Sequence, residues 1–242
     1  MLAVSFASSA ARVFAFDPLS SYRSCEIEGF KVLIHPQVFE HPDEVSRGLE
    51  LIQNGLRGVK AAVGEQPLVR LQDVVIVLEW EQRIGGGAAC YHKSRDWLRE
   101  NGYDPAKQGC VEISNLRSFI AAAATDQPMV ILHELAHAYH NQVLGLDYAA
   151  VNDAYRSALG AGIYDEVLRV GGWRGKAYAM NNAEEYFAEL TEAYFGRNDF
   201  FPFTAGQLQK HDPVGYAAVS QAWTIAVLPQ TNRILRDDES DD

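Results

Sequence analysis

The stretch MVILHELAHAYHNQVLG, Met129 to Gly145, decides how this chain is read. Its apolar residues recur at helical spacing, Asp126 and Pro128 supply a start, and Gly145 supplies a stop. That predicts a helix of about four to five turns at 3.6 residues per turn. Its middle turns nevertheless carry His133, Glu134, His137 and His140 where a core stripe would carry leucine. Positions four apart differ by about 400° of rotation, so the imidazoles of His133 and His137 project from one face, one turn apart. Two neutral imidazoles so placed can meet one Zn²⁺ at about 2.0–2.1 Å. Glu134, beside the first histidine, falls next to the open side of such an ion. This is the H-E-x-x-H arrangement, in which the glutamate takes a proton from a metal-activated water. Val130, Ile131, Leu132, Leu135 and Ala136 argue that the helix is buried, and burying these polar groups without a partner costs several kcal/mol. A metal removes that cost.

Two histidines leave the ion short of a ligand. His140 lies on nearly the same face, but three side chains from consecutive turns form a row and do not surround a tetrahedral ion, so a polar surface role, or one supporting a ligand, is read for it. A metzincin would need glycine at His140 and histidine at Val143, which excludes that class. The remaining candidates lie on a later helix, NNAEEYFAELTEAYFG, Asn181 to Gly196, apolar on one side and acidic on the other. Glu185, Glu189 and Glu192 form one stripe at i, i+4 and i+7. Glu185 is read as the third ligand. Glu189, one turn on, is read as the acceptor of a ligand histidine's free N–H. A capping box, Asn182 with Glu185 or Asn181 with Glu184, explains one glutamate at the helix start but not the repetition at Glu189.

HELAH followed by YAMNNAEEYFAE (Tyr178 to Glu189) resembles the gluzincin metallopeptidases, especially the anthrax-lethal-factor-like zinc peptidases, which have a tyrosine seven residues before the ligand glutamate. The resemblance spans roughly residues 125 to 196. It implies that His133, His137 and Glu185 hold zinc, that Glu134 is the general base, that Tyr178 steadies the oxyanion, and that Glu189 orients a ligand histidine. It also implies an α+β, zincin-like architecture: a small twisted sheet, an active-site helix beneath it, and a mostly helical C-terminal part closing the cleft. In such folds an edge strand pairs with extended substrate. Val111, Glu112 and Ile113 are the candidate edge strand.

Outward from this core, EIEGFKVLI (Glu26 to Ile34) alternates like a strand, and DVVIVLEW (Asp73 to Trp80) reads as a buried one. Between them a helix starts near Asp43 and repeats apolar residues at Val45, Leu49, Ile52, Leu56, Val59 and Val63. Gly85-Gly86-Gly87 reads as a flexible loop, and Asn115 opens another helix, after which the chain reads almost wholly helical. GRNDFFPF, Gly196 to Phe203, is taken as a loop tucked into the core, the alternative being a wall of the substrate pocket.

With 48% hydrophobic and 11% aromatic residues over 242 positions, the chain can bury a sizeable core. The expected organisation is an N-terminal segment over residues 1–25, signal-like or disordered, a single domain over 26–230, and an acidic disordered tail over 231–242. The formal charge of −11 argues against nucleic acid and anionic membranes as partners. Cys25, Cys90 and Cys110 read as three packed thiols rather than a bridge plus a spare. The apolar N-terminus faintly resembles a signal peptide without its basic start, tilting the compartment toward secreted or periplasmic. No stretch is long enough for an integral membrane segment.

The function expected is hydrolysis of peptide bonds in a peptide or protein substrate, with Zn²⁺ as cofactor. The alternatives are a zinc-dependent amidase acting on a peptidoglycan-type amide and a zinc-stabilised binding module without turnover. Glu134 and Tyr178 count against the last, since a purely structural zinc needs neither.

Overall fold

The run Glu26 to Ile34, which alternates like one strand, is most of a hairpin. Strand β1 (Arg23–Ile27) turns through Glu28 and Gly29, with φ of 54° and 88°, into β2 (Phe30–Ile34). Two consecutive left-handed residues make the tight two-residue turn whose twist suits paired strands. The exposed Arg57 and Lys60 hold the Glu28 carboxylate at 3.0 Å each. The computed structural model describes residues 17–81, 87–125 and 127–224.

Helix α1 (Pro42–Ala62) follows, then α2 (Glu65–Gln72) and β3 (Ile76–Leu78). The predicted apolar stripe of α1 is its inner face: Ile52 and Leu56 are fully buried, each worth about 1.5–3 kcal/mol relative to exposure. The chain continues through β4 (Cys90–Tyr91), α3 (Arg95–Glu100) and β5 (Val111–Ile113). The sheet order is β1-β2-β3-β5-β4, parallel across β2, β3 and β5, with antiparallel strands at both ends.

This order corrects the edge-strand expectation. Val111, Glu112 and Ile113 form an interior strand between β3 and β4, and all three are buried. The edge on that side is β4. The Glu112 charge is held inside the sheet: Lys107 Nζ lies 3.0 Å and His92 Nε2 2.8 Å from its Oε2.

After β5, Asn115 caps α4 (Leu116–Ala124) by accepting from the Ser118 N–H. Helix α5 (Val130–Tyr139) has no side-chain cap at Met129, and the proposed start residue Asp126 lies outside the described residues. Its last turns loosen into a π-helical segment, His140–Leu144, that ends at Gly145 with φ 83° as foreseen. A side chain at Gly55 would collide with Ile131, so that glycine lets α1 approach α5 closely.

The C-terminal half is less purely helical than expected. Between α6 (Ala149–Ala161) and α7 (Ala183–Phe195) stand a small hairpin, β6 (Val167–Leu168) with β7 (Arg174–Gly175), and a 3₁₀ turn at Tyr178–Met180. Helices α8 (Ala205–His211) and α9 (Pro213–Thr224) pack behind α7. The buried Asp212 carboxylate fixes α7 against them, accepting from Tyr186 Oη at 2.5 Å, Tyr164 Oη at 3.1 Å and the Gly215 N–H at 2.8 Å. The architecture is thus α+β, a small mixed sheet followed by a helical half.

Among the described residues no helix is long and apolar enough to cross a membrane. The three cysteines are free, and Cys25 is exposed rather than packed. The signal-like start, the acidic tail and Gly85-Gly86 lie outside the described residues.

Candidate metal centre

Helices α5 and α7 pack against each other, and the predicted ligands meet between them. His133 Nε2 and His137 Nε2 are 3.1 Å apart, and each lies 3.2 Å from Glu185 Oε2. A tetrahedral zinc with bonds of about 2.0–2.1 Å separates its ligand atoms by about 3.3–3.4 Å. The triangle therefore has the size of one face of such a coordination shell.

Proton placement sharpens this fit. His133 Nδ1 lies 2.6 Å from Glu192 Oε1, and an ionised carboxylate only accepts, so Nδ1 carries the hydrogen. In the neutral ring Nε2 is then a bare lone pair, and it faces the Glu185 carboxylate. Two acceptors face each other at that distance only if a cation sits between them. In the absence of a metal, a proton takes this place. Burial opposes charging His133, but Glu185, Glu192 and nearby Glu134 outweigh it and hold its pKa well above the ordinary imidazole value. Burial likewise opposes the Glu185 anion, and His133 and His137 outweigh it, holding the carboxyl well below the usual range.

Asn182 does cap α7, its Oδ1 accepting from the Glu185 N–H at 2.8 Å. The capping and ligand readings of this helix start are compatible, because the cap uses the Glu185 backbone and leaves its side chain free.

The acceptor at His133 Nδ1 is Glu192, which corrects the role read for Glu189. From 3.6 residues per turn, Glu192 lies about 20° from the Glu185 meridian whereas Glu189 lies about 40° away. The seven-residue spacing was the signal that could have found it. Glu189 is buried nearby, near Asn198, with Oε2 lacking a hydrogen-bond partner among the described residues. Burial, then Glu192 and Asp199, pushes its carboxyl pKa well up.

Glu134 and Tyr178 line two adjoining cavities, of about 410 and 220 Å³, that reach His133. Glu134 is almost buried, whereas Tyr178 is 46% exposed, with its hydroxyl 3.3 Å from Glu185 Oε1. Burial and the Glu185 charge raise the Tyr178 pKa, so the phenol stays a donor. The smaller cavity is walled by Ala89 and Cys90, at the start of the β4 edge, and by Ser114, just after β5. Burial, with Glu112 and Glu134 nearby, pushes the Cys90 thiol up to about 12.

The larger cavity runs from His133 and Glu134 to Arg169, Trp173, Asp199 and Phe200. Sequence reading gave Arg169 and Trp173 no role, and gave Asp199 none beyond its place in the Gly196 to Phe203 loop. Phe200 is 7% exposed, as the core reading of its loop expects, and it also forms part of the cavity wall.

His140 stands apart from the ligand triangle, and its burial corrects the surface role read for it. It is fully buried against Phe187, with ring centroids 5.1 Å apart, and neither ring nitrogen has a partner among the described residues. Burial lowers its pKa to about 4.

Compared with protein-family models, curated proteins and solved structures, the chain finds no match, so a functional assignment rests on these side chains alone.

Proposed function

We propose that this protein is a zinc-dependent peptidase of gluzincin type with a zincin-like fold. The observation that carries the proposal is the triangle of His133 Nε2, His137 Nε2 and Glu185 Oε2, with Glu134 beside it on the wall of an open cavity. Zinc held there would supply a Lewis acid for a carbonyl and acidify a water. Glu192 holds His133 in the tautomer that presents Nε2. Glu134 accepts the proton of the attacking water and returns it to the leaving amine. Tyr178 donates a hydrogen bond to charge developing on the carbonyl oxygen, a swing of its half-exposed phenol away from Glu185 being sufficient. The stretch from Gly87 to Tyr91, ending in the β4 edge, is the candidate rail for extended substrate, in place of Val111–Ile113.

The same parts could cut another amide. A rail at a sheet edge favours peptides over the peptidoglycan-type alternative, and Glu134 and Tyr178 on the cavity wall favour turnover over a structural zinc.

The test is metal analysis of the purified chain together with cleavage of a random peptide library. About one zinc per chain and metal-dependent cleavage are expected, with Glu134→Gln retaining zinc but losing about 10²- to 10⁴-fold in kcat, the usual worth of a general base. A folded chain that takes up no zinc would overturn the proposal.

A further inference from the structure

We infer that the larger cavity is a receiving pocket for a cationic side chain, lysine or arginine, of the substrate. How that side chain is delivered rests on the peptidase proposal; the binding of the cation does not. Two buried carboxylate oxygens on the cavity wall carry the inference. Glu189 is 3% and Asp199 4% exposed, and neither Glu189 Oε2 nor Asp199 Oδ1 has a hydrogen-bond partner among the described residues. A buried acceptor left unmatched costs free energy that a charged N–H donor entering the cavity would return.

Among the described residues, the hydrogen bonds of the neighbouring groups go to other atoms. Arg169 Nη2 reaches the other Asp199 oxygen, Oδ2, at 3.3 Å. Glu192 is engaged by His133. Glu189, Glu192 and Asp199 thus stand around a cavity to which, among the described residues, one guanidinium contributes. Trp173 and Phe200 form an apolar wall, their rings edge-to-face at 5.9 Å; the Arg169 guanidinium already lies over both, 5.7 Å and 5.3 Å from their centroids, so the wall offers an incoming side chain a surface for its alkyl stem while the carboxylates take the head. A volume of about 410 Å³ is within the range of pockets that enclose organic groups.

A metal is the other cation that could answer these carboxylates, with His133, Glu189 and Glu192 as its donors. It would have to take His133 Nδ1, which already gives its hydrogen to Glu192 and so sets the lone pair of Nε2. The aromatic wall, useless to a metal ion, also favours the organic cation.

Titration calorimetry of the zinc-loaded protein with n-butylguanidinium, n-butylammonium and n-butanol tests the pocket without requiring turnover. One saturable cation site per chain is expected, with n-butanol binding about tenfold to a hundredfold more weakly, the worth of a charged hydrogen bond. In parallel, lysine is compared with norleucine at each position of cleaved peptides. At one position lysine should be favoured by a similar factor, and Glu189→Gln or Asp199→Asn should bring the ratio close to one. Should Glu189→Gln fail to fold, Asp199→Asn and Trp173→Ala carry the comparison. Cleavage without discrimination and without cation binding overturns the pocket while leaving the peptidase reading intact. Cation binding without any cleavage supports the pocket and counts against the peptidase. Tight uptake of a second zinc, lost in Glu189→Gln, overturns the pocket in favour of a second metal site.

Discussion

Two carboxylate clusters lie within this molecule, and they differ in where their positive charge comes from. On the sheet, Glu79 and Glu112 share Lys107, whose Nζ lies 2.6 Å and 3.0 Å from them, and Tyr22 and His92 close the group. Lys107, Glu79 and Glu112 are all fully buried. Burial tends to discharge the lysine, but the two carboxylates outweigh it and hold its pKa up. Between α5 and α7, Glu134, Glu185 and Glu192 gather around His133 and His137 with, among the described residues, no lysine or arginine at the triangle, and the group borders a cavity. A cluster that contains its own cation and is closed to solvent stabilises structure. One that is acidic, short of a cation and open on one side is built to receive something.

The largest expected effect breaks the first cluster. Lys107→Met leaves two carboxylates buried without their cation and should cost about 3–5 kcal/mol in urea unfolding, the usual cost of removing one partner of a buried pair. Zinc stoichiometry in the folded fraction should be unchanged. A cost under about 1 kcal/mol would mean that the network is not neutralised by Lys107 and that the contrast between the clusters is misdrawn.

The second cluster should respond in the opposite manner, losing activity rather than stability. Tyr178→Phe removes a hydroxyl from a residue that is half exposed, so the melting temperature and bound zinc should barely change. The kcat should fall by roughly 10²- to 10³-fold, as for loss of one oxyanion donor. An unchanged kcat would reduce Tyr178 to a wall of the cavity and a hydrogen-bond partner of Glu185.

His140 belongs to neither cluster. Its pKa is about 4 in the fold against an ordinary 6.5 or so, and the unfolded chain therefore binds the proton more readily between those values. The stability that neutral His140 permits is present above about pH 6.5 and is lost as pH falls toward 4, by about 3 kcal/mol at 1.36 kcal/mol per unit. On metal-free protein, His140→Leu should flatten the acid limb of stability against pH by about that amount. Parallel profiles would show that the imidazole charges as easily inside as outside.

What the sequence disclosed follows from periodicity. The α1 stripe, the α5 helix and the Asn182 cap were legible because 3.6-residue spacing and end signals are local. The His133–His137–Glu185 convergence was legible because i, i+4 geometry fixes two ligands and one acidic stripe offers the third. The position of β5 was not, because Glu112 looks solvent-facing until Lys107, outside the strand, is folded against it. The hairpin at Glu28-Gly29 was passed over because its strands continue one alternating pattern. Arg169, Trp173 and Asp199 were invisible as a pocket because they come together only when β6, β7 and the loop after α7 meet, which no helical or strand period encodes.

The choice between Glu189 and Glu192 is where local periodicity came closest and still misassigned a role, and it sets the smallest of the expected effects. Glu192 Oε1 is 2.6 Å from His133 Nδ1, so Glu192→Gln should let the ring lose its fixed tautomer and lower zinc affinity about 10- to 100-fold, the usual effect of removing an outer partner. Glu189→Gln replaces a carboxyl that burial and its acidic neighbours already push toward the neutral form, and its zinc affinity should change by less than a factor of about three. Competition with a chromogenic chelator at pH 7.5 measures both. The pH matters because the ligand histidines must be deprotonated, so affinity falls in acid for every variant. If Glu189→Gln weakens zinc more than Glu192→Gln does, Glu189 belongs to the metal centre after all, and the acidic wall of the larger cavity shrinks to Asp199.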